Sequence, residues 1–187
     1  YLNLLERWNR AYNLTAVRDR SQWVVRHLLD SLAILPWIGA ERFIDVGTGA
    51  GLPGIPLAIM RPDATFALLD SNGKKTRFLF QVKTQIGIEN VDIVESRVEN
   101  YYPDIGFDAV VSRAFASLTD MAQGCQHLLA DQGRLLAMKG AQAELEVANL
   151  EADNSNDWRC TGCHPLSVPG LDEARTLVEL TRDSGSH

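Results

Sequence analysis

One stretch concentrates the chemistry of this chain: Phe43-Ile44-Asp45-Val46-Gly47-Thr48-Gly49-Ala50-Gly51-Leu52-Pro53-Gly54. Its spaced glycines Gly47, Gly49 and Gly51 allow positive φ and let a ligand lie against bare backbone. The apolar run before them reads as a strand, and Pro53 or Pro56 suits the first turn of a following helix. The start of such a helix offers free N–H groups and a partial positive charge. A carboxylate stands where a ligand would need one. Asp70 ends the run Phe66-Ala67-Leu68-Leu69, nineteen residues after Gly51, where an acid can accept both ribose hydroxyls of an adenosine. Strand, glycine loop, helix, strand and acid together predict an adenosine-ligand site.

Two adenosine ligands compete. Gly49 to Gly54 spells the dinucleotide pattern G-x-G-x-x-G, but the turn begins at Gly47, and the sixth position counted from there is Leu52. Asp45 also interrupts the strand, where a dinucleotide fold is normally all apolar because a buried carboxylate needs a partner. Near the amino group and sulfonium of S-adenosylmethionine an acid has a use. The pattern apolar-Asp-apolar-Gly-x-Gly-x-Gly resembles the first motif of class I methyltransferases, and a nicotinamide-dependent reductase is the alternative. Ser96-Arg97-Val98-Glu99 follows the third apolar run, in the loop that flanks the adenine in that class. Arg113, in Ser112-Arg113-Ala114-Phe115, stands at the carboxyl edge of the fourth run, where open α/β sheets bind ligands. It suits a cofactor carboxylate or an RNA phosphate.

The elements that must position these residues follow from periodicity. Short apolar runs at Arg42–Val46, Thr65–Leu69, Val91–Val94, Phe107–Ser112 and Arg134–Met138 alternate with helical stretches near 54–60, 73–87, 117–128 and 141–150. That rhythm means βαβ units and a mostly parallel, doubly wound sheet. Pro165–Val168 and Thr176–Thr181 flank a turn with no helix between, which predicts an antiparallel edge pair. Residues 1–38 read as helices, broken at Asn13-Leu14-Thr15 and ended by Pro36 and Gly39. The expected organisation is one domain over 1–187, with a helical cap at 1–40 and a cofactor-binding α/β core at 41–187. The chain opens without Met in mid-pattern, which implies residues before Tyr1, and Ser184-Gly185-Ser186-His187 reads as a frayed tail.

Composition is that of a globular protein, 45% hydrophobic and 22% charged, with no run of apolar residues long enough to span a membrane. The net charge of −6 argues against a nucleic-acid partner only until it is mapped. Residues 141–187 hold nine acids and three bases, the whole excess, and residues 71–88 carry Lys74, Lys75, Arg77 and Lys83 with no acid. Three cysteines suit a reducing cytoplasm. Cys125 lies in a helical stretch and reads as core. Cys160-Thr161-Gly162-Cys163-His164 spells a haem-attachment motif, but no export signal is visible and a structural zinc needs four ligands. No metal is expected. The Asp/Asn-Pro-Pro-aromatic motif of exocyclic-amine methyltransferases is missing after the fourth run, as is the Pro-Cys pair of cytosine-C5 enzymes. An acceptor with a free lone pair, such as guanine N7, fits a site without an obvious base.

Several stretches together resemble the RsmG family, also called GidB or glucose-inhibited division protein B. They are Trp8-Asn9 with Tyr12-Asn13-Leu14-Thr15, Arg26 to Ser31, Asp45 to Pro56, Leu69 to Ser71 with Lys74-Lys75 and Arg77-Phe78-Leu79, Ser112 to Ala116, and Lys139-Gly140, with a weaker match at Pro169 to Arg175. The resemblance implies methylation of guanine N7 in bacterial 16S ribosomal RNA, free or in the small subunit, with S-adenosylmethionine as donor, S-adenosylhomocysteine as product and no protein partner required. It implies cofactor contacts at Gly47, Leu52, Val98, Glu99 and Arg113, and Asp70 as the ribose acceptor. Arg26, His27, Lys74, Lys75, Arg77 and Lys139 become candidates for RNA or target-base contact, with Arg113 and Lys139 as positioning groups. His27, on an apolar helix face, fits a structural role better. A methyltransferase of a small molecule or protein is the remaining alternative.

Overall fold

The computed structural model describes residues 1–39, 41–153 and 157–183. The closing tail read as frayed lies outside the described residues. Strands β1 (Arg42–Val46), β2 (Thr65–Asp70), β3 (Val91–Glu95), β4 (Phe107–Ser112), β5 (Leu129–Lys139), β6 (Trp158–Leu166) and β7 (Arg175–Arg182) form one sheet in the order β3-β2-β1-β4-β5-β7-β6. The first five pair in parallel, and β7 pairs antiparallel with both β5 and β6. The order reverses between β1 and β4. That switch point opens a crevice at the carboxyl ends of the strands, where the predicted site residues fall.

Side chains alternate across the sheet and feed two cores. Phe43, Phe66, Leu68, Ala109 and Val111 pack under α3 (Gly54–Met60), α4 (Gly73–Ile86) and the N-terminal helices. Ile44, Ala67, Leu69, Val110 and Leu135 face α5 (Leu118–Cys125) and α6 (Ala143–Ala152). Cover on both faces explains why the parallel strands read as unbroken apolar runs.

The N-terminal segment departs most from expectation. Helix α1 (Leu2–Tyr12) ends at Asn13, whose φ of 49° is left-handed, where the predicted break begins. The second helix is not regular: a 3₁₀ turn at Arg20–Gln22 runs into a π-helix at Val24–Leu29, then a single α turn, α2 (Asp30–Leu32), and a 3₁₀ turn at Leu35–Trp37. An apolar stripe cannot separate these helix types, because each still turns one face inward. Leu4, Leu5, Leu14, Trp23, Ile34 and Ile38 join the same core as Phe43 and Phe78, so the cap packs continuously onto the sheet.

Two strands start earlier than predicted. In β5, residues Leu129–Gly133 pair irregularly with β4 before the regular ladder begins at Arg134, and Asp131-Gln132-Gly133 reads locally as a turn. In β6 the register shifts between Cys160 and Gly162, and an interior glycine weakens a strand signal. Among the described residues, no helix is long and apolar enough to cross a membrane.

Candidate active site

The glycine loop hangs from the carboxyl end of β1. Gly47, Gly49 and Gly51 have φ of 71°, 60° and 87°, a region that side chains rarely enter. A Cβ on Gly47 would lie 2.7 Å from the Cβ of Ala114, whereas the nearest atom to one on Gly49 would be 3.9 Å away. Gly47 is therefore required by close approach as well as by its dihedral. The amides of Gly47 and Thr48 donate to the Leu69 carbonyl at 2.9 and 3.1 Å, tying the loop to β2.

Asp45 is 1% exposed and closes the loop from beneath. Its Oδ2 accepts from Thr48 Oγ1 at 2.7 Å and from the Gly54 amide at 2.8 Å, so it also caps the start of α3. Burial raises its pKa to about 6, although the Thr48 and Gly54 donors pull it down. Its Oδ1 is buried with no partner. The buried carboxylate thus organises the loop from beneath with one oxygen, and the other has no protein partner among the described residues.

Asp70 is 5% exposed at the end of β2. Its Oδ2 accepts from the Gly49 amide at 3.0 Å and Lys75 Nζ at 3.3 Å, and Oδ1 accepts from the Asn72 amide at 2.9 Å. Three of a carboxylate's roughly four lone-pair directions are taken. Asp70 thus holds the glycine loop and presents Lys75 beside itself, while lining the first of the cavities described below.

Two cavities flank the loop. The first, about 330 Å³, is lined by Gly47, Leu69, Asp70, Ser71 and Lys75 on one side and by Ser96–Glu99, Ala114 and Phe115 on the other. Val98 and Glu99 form a short 3₁₀ turn there, steadied by His127 Nε2, 3.1 Å from the Val98 carbonyl oxygen. The second, about 420 Å³, lies between the loop and the cap, with Leu14–Val17, Arg26, His27, Asp30, Thr48, Gly49, Leu52, Arg113 and Arg175 around it. Both cavities are lined by Gly47 and Ala114. Ala114 is fixed by Ser112, whose Oγ donates to the Val46 carbonyl at 2.7 Å and accepts from the Ala114 amide at 3.0 Å.

The structure thus brings Gly47, Gly49, Asp70, Val98, Glu99 and Arg113 to the two cavities, with Leu52 on the second and Gly51 buried beneath the loop. It does not assemble the six RNA candidates. Lys75 turns inward to Asp70, away from Lys74 and Arg77 on exposed helix surface. Lys139 is 8% exposed at its side chain, paired with Glu146 at 2.8 Å and donating to the Phe115 carbonyl at 2.9 Å. Through the Phe115 carbonyl it supports the loop that carries Ala114, and it lines a smaller cavity with Asp30, Arg113 and Arg175. His27 is 4% exposed, with Nε2 2.9 Å from Thr15 Oγ1, and burial lowers its pKa. Arg26 reaches Glu173 at 2.6 Å on the rim of the second cavity.

Sequence reasoning missed Thr15, Asp30 and Arg175. Asp30 gave a signal, an acid within an apolar helical stripe, which normally means a buried partner. Of the decoys, burial pushes the Cys125 thiol up to about 12, as a core residue requires. Cys163 is exposed on β6 while His164 packs on Trp37, ring centroids 4.9 Å apart. Among the described residues, no group of three or more His, Cys, Asp or Glu side chains is placed to hold a metal ion.

Comparison with known proteins adds a family to this geometry. The chain is 54% identical over 179 residues to the ribosomal RNA small subunit methyltransferase G of Aeromonas salmonicida, covering 96% of this chain and 84% of that protein. It is 52% identical over 180 residues to the protein of that name from Escherichia coli K12, covering 96% and 85%. Among solved structures, a SAM dependent methyltransferase from Aquifex aeolicus superposes with a TM-score of 0.69 at 15% identity, over 90% of this chain and 96% of that one. Magnesium protoporphyrin IX methyltransferase from Synechocystis, solved with bound SAM, gives 0.65 at 19% identity, over 95% and 90%. These two likenesses establish the fold, a class I methyltransferase fold. The model of the GidB family, described as rRNA small subunit methyltransferase G, matches residues 1–178, and the chain belongs to that family.

Proposed function

We propose that this member of a small-subunit rRNA methyltransferase family transfers a methyl group from S-adenosylmethionine to N7 of a guanine in 16S ribosomal RNA. One observation carries the reading: two cavities, drawn from different parts of the chain, meet at Gly47 and Ala114. The first suits a nucleoside. Asp70 and Lys75 offer an acceptor and a donor at one end, and Val98 and Glu99 border the other. The bare Oδ1 of Asp45 suits the donor's cationic amino group. Arg113 suits its carboxylate. When bound, the cofactor supplies an electrophilic methyl on a sulfonium.

The protein's own contribution is positioning and charge. Gly47 lets the two cavities approach without a side chain between them. The cap brings two buried groups to the acceptor side, Asp30 and His27, and burial lowers the pKa of His27, whose Nδ1 has no partner among the described residues. Both oxygens of Asp30 accept from arginines, at 2.9 and 3.1 Å, and His27 Nε2 is tied to Thr15. An acceptor that carries its own lone pair needs neither, and guanine N7 is such an atom. Catalysis is then alignment within a site whose buried carboxylates tolerate a cationic product. The nicotinamide reading loses its ground once the family is known.

We read residues 1–40 as the cap that builds the acceptor side and 41–187 as the core that grips the donor. The small subunit as substrate places the reaction in the cytoplasm. The test is radiolabelled methyl transfer by the purified chain, without added proteins, to naked 16S RNA and to small subunits, followed by mapping. Label on guanine N7 is the expected result. Label on an exocyclic amine, on a ribose or on protein would overturn the reading.

A further inference from the structure

The second cavity contains a buried trio of which one member, Arg175, is required by neither the glycine loop nor the donor. Asp30 lies on α2 with its side chain 5% exposed. Its Oδ2 accepts from Arg113 Nη1 at 3.1 Å and its Oδ1 from Arg175 Nε at 2.9 Å. One buried carboxylate thus presents two guanidiniums, leaving the trio with one net positive charge. Arg113 comes from the end of β4 and Arg175 from the start of β7, so the cap's Asp30 joins segments that are distant in sequence. The trio also lines a smaller cavity of about 230 Å³ with Met138, Lys139 and Gly140, and so forms a wall between two open volumes.

Before the donor binds, no other protein side chain nearby among the described residues neutralises that charge. Glu173 is engaged by Arg26 at 2.6 Å, Lys139 by Glu146, and burial lowers the pKa of His27, which favours its neutral form. Arg175 donates Nε to Asp30 and Nη1 to the Ala174 carbonyl at 3.0 Å, and its Nη2 has no other protein partner among the described residues. A partly buried cation held rigid by a carboxylate, with an unused donor edge on a cavity, is built for an oxyanion.

We propose that Arg175 binds a phosphate of the nucleotide being methylated, with Asp30 as its positioning residue. The inference rests on reading the second cavity as the acceptor side. Two oxyanions could approach the trio, the RNA phosphate and the donor's carboxylate, and position separates them. Arg113 adjoins Ala114, where the two cavities meet. Neither arginine lines the first cavity, but Arg113 follows β4, beside β1 and its glycine loop, whereas Arg175 starts β7, two strands farther out. A base turned out of its RNA strand into the second cavity leaves its phosphate at the rim, within the province of Arg175.

The experiment measures S-adenosylhomocysteine affinity by calorimetry and steady-state methylation of 16S RNA at several salt concentrations, beginning with the wild type. Failure of the wild type to methylate both naked 16S RNA and small subunits would sink the methyltransferase reading, and is seen before any variant is made; the variants are then compared on whichever substrate is methylated. Given an active wild type, Arg175→Gln is expected to raise KM for RNA roughly tenfold to a hundredfold, the worth of a charge-assisted hydrogen bond. It should also flatten the salt dependence of KM by about one phosphate contact, which loss of a structural tie alone would not do. Its S-adenosylhomocysteine affinity should stay within about twofold of wild type, whereas Arg113→Gln should weaken it. Arg175→Lys keeps the charge without the planar fork and decides the matter if the Gln variant does not fold: a raised KM with normal product affinity supports the proposal. Equal loss of product affinity in the Arg175 and Arg113 variants would give the trio to the donor's carboxylate and overturn it. An unchanged KM with an unchanged salt slope would overturn it too, leaving Arg175 a structural tie.

Discussion

Asp45 shows how a single residue serves structure and ligand together. One oxygen caps α3 and pins Thr48, and the other has no partner. With a folded pKa near about 6 against an ordinary 3.8, the folded chain holds a proton there that the unfolded chain releases. Its contribution to stability is therefore fully present below the unfolded value and is lost as pH rises through about 6. Asp45→Asn removes that titration. The melting temperature of the variant should gain on wild type between pH 4 and 6.5 and stay level above; a difference independent of pH would show that Asp45 titrates normally. The glycines allow a paired test. Gly49→Ala would meet only the Gly47 carbonyl oxygen, at 3.9 Å, and should lose about 1 kcal/mol from its left-handed φ alone, with a smaller effect on donor binding than Gly47→Ala. Gly47→Ala adds a contact with Ala114 at 2.7 Å, so it should lose more stability and also donor affinity, read by thermal denaturation and calorimetry. Equal effects would mean the approach to Ala114 relaxes freely.

At the scale of elements, helix α4 shows what local sequence fixes and what it leaves open. Asn72 caps it, accepting from the Lys74 amide at 3.0 Å, and Gly87 ends it in a left-handed conformation with φ of 72°. Asn72→Ala should cost about 1 kcal/mol in denaturant unfolding. A much larger loss would show that the cap also supports Asp70 through the Asn72 amide. Cap, apolar stripe and glycine stop are all local signals, and so the helix was readable in the sequence. So were β1 to β4 and the glycine loop, where propensity, pattern and burial agree. Which way Lys75 points was not readable, because a one-residue step around α4 decides between Asp70 and solvent. The trio of Asp30, Arg113 and Arg175 was invisible for a related reason: its members come from three elements, and only the strand order brings them together.

Across the whole molecule, charge is divided by region. Lys74 and Arg77 lie exposed on α4, and Lys74 Nζ stands 5.7 Å from the exposed ring of Tyr12 on α1, a surface that suits a polyanion. Lys74→Glu with Arg77→Glu should leave donor affinity intact while lowering RNA methylation and its salt dependence. Lys75→Gln should do the reverse, weakening donor affinity first. Should both variants affect RNA alike, the inward placement of Lys75 has no functional weight. The division of the site has an evolutionary consequence. The first cavity takes its lining from residues 46–115 alone, whereas the second draws on residues 14–30, the glycine loop, Arg113, Ala114 and β7. Substitutions at cap positions that line only the second cavity, such as residues 14–17, can therefore redraw what is recognised as a target while the lining of the first cavity stays the same. A lineage could exchange one acceptor for another by drift at those few positions and still hold its methyl source, provided Asp30 keeps Arg113 in place.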